Sequence, residues 1–148
     1  MTPRTRSERR RDTERRLAGD VDLWVASASA HGVPYLVPLS FDYDGETLLI
    51  ATAADSVTGR NLAASRAVRL GLGLTRDVCM IEGDVEVLEI DALAPEEGDR
   101  FAARTGFDPR TSGPGYRWFR VTPRRVQAWR EVDELAGRDL MREGRWLG

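Results

Sequence analysis

Ser56, Thr58, Arg60 and Asn61 lie close together, directly after the apolar run Leu48-Leu49-Ile50-Ala51-Thr52. The run reads as a strand, Asp55-Ser56 as a small polar turn, and Val57 to Ala64 as a short helix. Such a corner can hold a phosphate. N–H groups at a helix N-terminus lack intrahelical partners and carry partial positive charge, so they attract anions. Hydroxyls add donors, and a guanidinium offers a fixed fork that matches phosphate oxygens. The same residues also make an ordinary N-cap at Asp55 or Ser56, with a solvated arginine one turn later.

Other chemistry is thinly represented. His31 is the only histidine and Cys79 the only cysteine, which excludes a multi-histidine metal site, an intrachain disulfide and a thiolate zinc cluster. Cys79 falls within a predicted strand and reads as a small buried apolar residue. No serine stands in a nucleophile-elbow setting. Glu82, Asp84 and Glu86 alternate along a strand, the pattern of a solvated face. All 22 basic residues are arginine, so Schiff-base and P-loop lysine chemistry is absent. An enzyme built from this set takes its reactivity from a bound cofactor, which the protein positions and tunes.

The elements that must position these residues are mostly strands. Val21–Ser29 and Pro34–Tyr43 flank the turn Ala30-His31-Gly32. Pro34 and Pro38 cannot donate ladder hydrogen bonds and suit an edge. Asp44-Gly45 joins that second strand to Glu46–Thr52 as a hairpin. Ala67–Leu74 places Val68, Leu70, Leu72 and Leu74 on one face, with Gly71 and Gly73 on the other marking a bend or a close approach. Asp77–Ile90 turns Ile81, Gly83, Val85 and Val87 inward. Pro95 opens a helix with Glu96 and Glu97 in its first turn, and Gly106 ends it. Tyr116–Val121 and Arg124–Trp129 read as a pair of strands around Thr122-Pro123. The tail from Glu131 has a weak helical pattern at Leu135, Leu140 and Met141. The fold expected is mainly β, a six- to seven-stranded antiparallel barrel with short helices.

A chain of 148 residues fits one domain, here residues 17–148 behind a basic arm, 1–16. The arm carries seven arginines against Glu8, Asp12 and Glu14, whereas the whole chain has net charge −2. Glu8 and Asp12 stand at helical spacing from arginines, so the arm is expected to be a solvated helix, and nucleic-acid binding is not expected. No apolar run approaches the about 20 residues of a membrane span. With no apolar leader in view either, a cytoplasmic location without membrane contact is expected.

Taken in order, Gly32-Val33-Pro34-Tyr35-Leu36-Val37-Pro38-Leu39, Ser56-Val57-Thr58-Gly59-Arg60-Asn61-Leu62 and the late Tyr116–Trp129 hairpin resemble the pyridoxamine 5′-phosphate oxidase-like split barrels. The resemblance covers nearly the whole domain. It implies a homodimeric flavin (FMN) or deazaflavin (F420) oxidoreductase that transfers hydride to or from a small-molecule substrate. It has the segment from Ser56 to Asn61 grip the cofactor phosphate, with Arg60 as the main ligand and Ser56 and Thr58 assisting. It lays the flavin ring along Val37, Pro38, Leu39 and Ser40 and along Ile50, Ala51 and Thr52. Trp118 and Arg120 would reach the cofactor from the partner subunit, although Trp118 serves equally as a packing aromatic. Thr58 stands where many relatives carry lysine or arginine, with Arg66, Arg69 and Arg76 nearby. No C-terminal substrate-phosphate motif of true pyridoxamine phosphate oxidases is found, so vitamin B6 oxidation is not implied. The alternative is a non-catalytic flavin binder, or a haem binder with His31 as axial ligand.

Overall fold

Alternating apolar positions generate the sheet, and a few long side chains dock helices onto it. The computed structural model describes residues 2–148. In chain order the elements are α1 (Arg6–Gly19), β1 (Asp22–Ala28), β2 (Pro34–Ser40), β3 (Asp42–Tyr43), β4 (Leu48–Ala53), α2 (Val57–Ser65), β5 (Ala67–Leu74), β6 (Asp77–Leu88), α3 (Pro95–Thr105), β7 (Tyr116–Trp129), β8 (Asp139–Arg142) and β9 (Arg145–Trp146). All strand pairs are antiparallel, in the order β2-β1-β5-β6-β7-β4-β3, with the β8–β9 hairpin added to β7. Among the described residues no helix is long and apolar enough to cross a membrane.

The sheet curls around Val25, Phe41, Leu48, Ile50, Leu70, Ile81, Phe119 and Val121, all fully or almost fully buried. Each such side chain contributes about 1.5–3 kcal/mol by leaving water. A second cluster lies on the outer face of β4 and β7, where α3 presses Phe101 against Leu49, Ala51, Leu93 and Trp118. The barrel is split. β2 and β4 approach each other with no ladder between them, and β4 is covered on that side only by the two-residue β3. Pro34 and Pro38 sit on the edge strand that this arrangement requires. The outward carboxylates of β6 face arginines of neighbouring strands: Glu82 meets Arg69, Asp84 meets Arg124 and Glu86 meets Arg120.

Three expectations are corrected. Tyr116–Trp129 is one continuous strand and no hairpin. Thr122-Pro123, a plausible turn in sequence, forms a bulge in which Arg124 is the extra residue between the pairs Gly83↔Pro123 and Glu82↔Arg125. Proline lacks an N–H and is tolerated there. Gly83 is required opposite, because a Cβ would lie 2.4 Å from Val121 Cγ1. Second, the tail is a hairpin. Glu143 and Gly144 both take positive φ (52° and 77°), the geometry of a tight two-residue turn.

Third, the basic segment is bound tightly to the barrel. Thr5 caps α1 by accepting the Glu8 N–H, and Arg6, Arg11 and Arg15 are exposed as expected. Arg9 is only 5% exposed, however, and donates to the carbonyls of Ala128 and Glu134. Arg4 clasps Glu134 with two side-chain hydrogen bonds of 2.7 and 3.0 Å. That clasp holds the Glu134 carboxyl down at about 2. Arg16 reaches Asp77 and fills the space beside Gly73, where a Cβ would collide with it.

Candidate functional site

The corner between β4 and α2 is tight for a specific reason. Ser56 Oγ accepts the Gly59 N–H at 3.0 Å and donates to the Ala53 carbonyl at 2.7 Å. A Cβ on residue 59 would stand 2.1 Å from that same carbonyl, so only glycine closes the turn. The Ser56 hydroxyl is thereby committed to capping, with Thr52 Oγ1 beside it at 3.5 Å. The N–H groups of Val57 and Thr58, in the first turn of α2, have no intrahelical acceptor. Arg60 is exposed and donates from Nη1 to the Asp55 carbonyl at 2.6 Å. Thr58 and Asn61 turn inward instead. Asn61 Nδ2 donates to Ser27 Oγ at 3.1 Å and ties α2 to β1.

The open seam holds a cavity of about 390 Å³ lined by Asp22, Pro38, Leu39, Ser40, Ala51, Phe101 and Phe107. Four of the residues singled out from the sequence, Pro38, Leu39, Ser40 and Ala51, therefore converge from strands β2 and β4. Val37 and Thr52 flank them half-buried, Val37 against the barrel core. Three lining residues were missed. Asp22 accepts a hydrogen bond from Ser40 Oγ at 2.7 Å and is the one carboxylate in the lining. Phe101 was legible as part of the apolar stripe of α3, but its neighbours were not. Phe107 follows the left-handed cap at Gly106 and packs edge-on against Tyr116, 5.5 Å between centroids.

Other candidates lie apart from this cavity. Ile50 faces the barrel interior, fully buried. Trp118 is also fully buried, donates Nε1–H to the Ile90 carbonyl at 3.2 Å and meets Phe101 edge-on at 5.1 Å. Its role is packing α3 against the sheet. Arg120 is held by Glu97 at 2.9 and 3.2 Å, with Asp44 and Glu86 also near. This guanidinium is neutralised within its own chain. His31 is exposed in the β1–β2 turn and does not line the seam cavity.

The outer face of β1, β2, β5 and β6 is unusually apolar. Trp24 is 52% and Leu36 59% exposed, beside Gly71 and Met80 around a shallow cavity of about 320 Å³ that Arg69 also lines. Contiguous apolar surface of this kind marks an interaction site more often than a solvated wall.

Comparison with known proteins places this geometry in context. The family profile described as pyridoxamine 5′-phosphate oxidase matches residues 16–130. No curated protein matches the chain by sequence. Among solved structures, an F420 reductase is 19% identical, with a TM-score of 0.63 over 76% of this chain and 94% of that one. An FAD-binding protein from Mesorhizobium loti is 18% identical, with a TM-score of 0.64 over 79% of this chain and 89% of its own. A pyridoxamine 5′-phosphate oxidase-related, FMN-binding protein from Nostoc punctiforme is 14% identical, with a TM-score of 0.53 over 83% and 79% of the two chains. At these identities the likeness is one of fold, and the fold shared is the split barrel.

Proposed function

We infer a function from one established premise: the chain belongs to the pyridoxamine 5′-phosphate oxidase family. We propose that it is a homodimeric oxidoreductase holding FMN, or in its place F420, along the β2–β4 seam and passing hydride to or from a small-molecule substrate. The observation that carries this reading is the convergence of Pro38, Leu39, Ser40 and Ala51 on one apolar cavity at the open edge of the barrel. Structural neighbours that bear the names F420 reductase and FMN- or FAD-binding protein support the choice of cofactor class.

The residues present fit such a group. An anionic tail needs donors, and the α2 corner offers Arg60 and the N–H groups of Val57 and Thr58, with the exposed Asp55 adjoining them. A planar ring needs a flat apolar bed with backbone donors and acceptors along its edge. The seam supplies the small or apolar side chains of Pro38, Leu39 and Ala51, beside an edge strand with no ladder partner on that side. When bound, FMN or F420 supplies the hydride acceptor or donor. The chain's own work is to bind, orient and shield. Ser56 fixes the corner, Arg60 would hold the tail, and the backbone of Val37–Ser40 and of Ala51–Thr52 would align the ring. Phe101 and Phe107 close the far wall against water.

The apolar outer face supports the proposed second subunit. Leu36 belongs to that face and Pro38 to the seam cavity, two residues apart on one strand. A copy seated on Trp24 and Leu36 therefore borders the seam and can complete its open side. Fluorescence titration of the purified protein with FMN and with F420 tests the proposal. Saturation by one of them at one equivalent per chain is expected; failure of both to bind contradicts it.

A further inference from the structure

Ladder register fixes which outward side chains stand beside one another on the sheet. Ala26, Arg69, Glu82 and Arg125 make one row across β1, β5, β6 and β7, and Trp24, Gly71, Met80 and Gln127 make the next. A shallow hollow of about 610 Å³ is lined in part by Ala26, Ala28, Ala67, Arg69 and Glu82. It adjoins the apolar cavity beside Trp24 and Leu36, and Arg69 lines both. One face thus carries two large exposed apolar side chains and, next to them, a floor of alanines.

Nothing in the chain's own packing demands Gly71. An added Cβ there would meet Met80 Sδ at 3.5 Å and Trp24 Cβ at 3.9 Å, ordinary van der Waals contact, and its φ lies outside the left-handed region. Glycine weakens a strand and often marks close approach by another backbone. A knob beside a hollow also lets a face fit its own copy, because a twofold axis brings each knob to the other copy's hollow. Arg69 and Glu82 stand where the two features meet, with side chains 56% and 37% exposed. Arg69 Nη2 contacts Glu82 Oε1, a contact that uses only part of what a guanidinium can donate and a carboxylate accept. Neighbouring charges are taken up otherwise, Arg124 by Asp84 at 3.5 Å and Arg125 by Asp139 at 3.2 Å. Within one chain an exposed pair of this kind contributes little. Enclosed between two copies, its pattern of sign decides which surfaces fit.

We propose that Arg69 and Glu82 make this face recognise its own copy. The twofold axis of the dimer passes between them, so that each Arg69 faces the partner subunit's Glu82 and each Glu82 faces the partner subunit's Arg69. Opposite charges beside such an axis are complementary to themselves, and a chain with the wrong pattern is repelled. This pairing rests on the second-subunit reading above and requires no bound cofactor.

Exchanging the two charges tests it. The double variant Arg69→Glu/Glu82→Arg keeps an opposite pair within each chain, so it is expected to fold and to dimerise with itself. Co-expressed with differently tagged wild type and counted by native mass spectrometry, it should form heterodimers as about a tenth or less of all dimers, because both cross-axis pairs then join like charges. Free mixing would give half. The single variants Arg69→Glu and Glu82→Arg supply the converse: each alone should dimerise poorly, and the two together should form mainly the heterodimer. Free mixing of the double variant with wild type, a folded double variant that stays monomeric, or single variants that dimerise with themselves as readily as with each other would overturn the proposal. A monomeric wild-type chain would instead remove the second subunit itself, and this pairing with it.

Discussion

Arg60 stands exposed on the first turn of α2 with its Nη1 on the Asp55 carbonyl, and among the described residues no hydrogen bond engages its Nε or Nη2. A charge-assisted hydrogen bond of this kind contributes about 1.5–3 kcal/mol, so Arg60→Ala should weaken FMN or F420 binding by about tenfold or more. Equilibrium titration checks this, and an unchanged dissociation constant would remove Arg60 from its role. At this scale the sequence was partly transparent. The Ser56 cap and the need for glycine at 59 depend on residues within the same turn, which local spacing encodes. Thr58 and Asn61 are candidate site residues by sequence, yet they face inward because α2 docks on β1. Trp118 and Arg120 are governed by Ile90 and Glu97, more than twenty positions away, and no local pattern announces such partners.

Among elements, α1 departs furthest from what its composition suggests. An arginine-rich helix with little apolar content looks solvated, but Arg4 and Arg9 fasten it through acceptors supplied by residues 128–137. The Arg4–Glu134 pair is mostly buried, 10% and 4% exposed in its side chains. Removing one partner strands the other charge, so Glu134→Gln should cost on the order of 3 kcal/mol. The pH dependence has a definite sign. Glu134 has its carboxyl lowered from 4.5 to about 2 in the folded chain, so its stabilisation is complete above the unfolded value and lost as pH falls through the folded one. Thermal melts of wild type and Glu134→Gln should therefore differ fully above about pH 4.5 and converge towards pH 2. A difference that persists at pH 2 would place the effect elsewhere. The β-strands were legible because two-residue alternation is local. The β7 bulge was not, since Pro123 is a turn residue until Gly83 is placed opposite it.

At the scale of the whole molecule, the split barrel could be anticipated from the order of strands and turns, and the family profile agrees with it. What the chain leaves open is a seam with no ladder across it and an apolar face at Trp24 and Leu36 beside it. Both features have one explanation if two copies share the cofactor between them. Sedimentation velocity, read at the absorbance of bound FMN or F420, tests that claim most directly when wild type is compared with Leu36→Asp. The bound chromophore should travel with a dimer of the wild-type chain, and Leu36→Asp should sediment as a folded monomer with little chromophore. A monomeric variant that carries the cofactor as tightly as wild type would contradict a shared site.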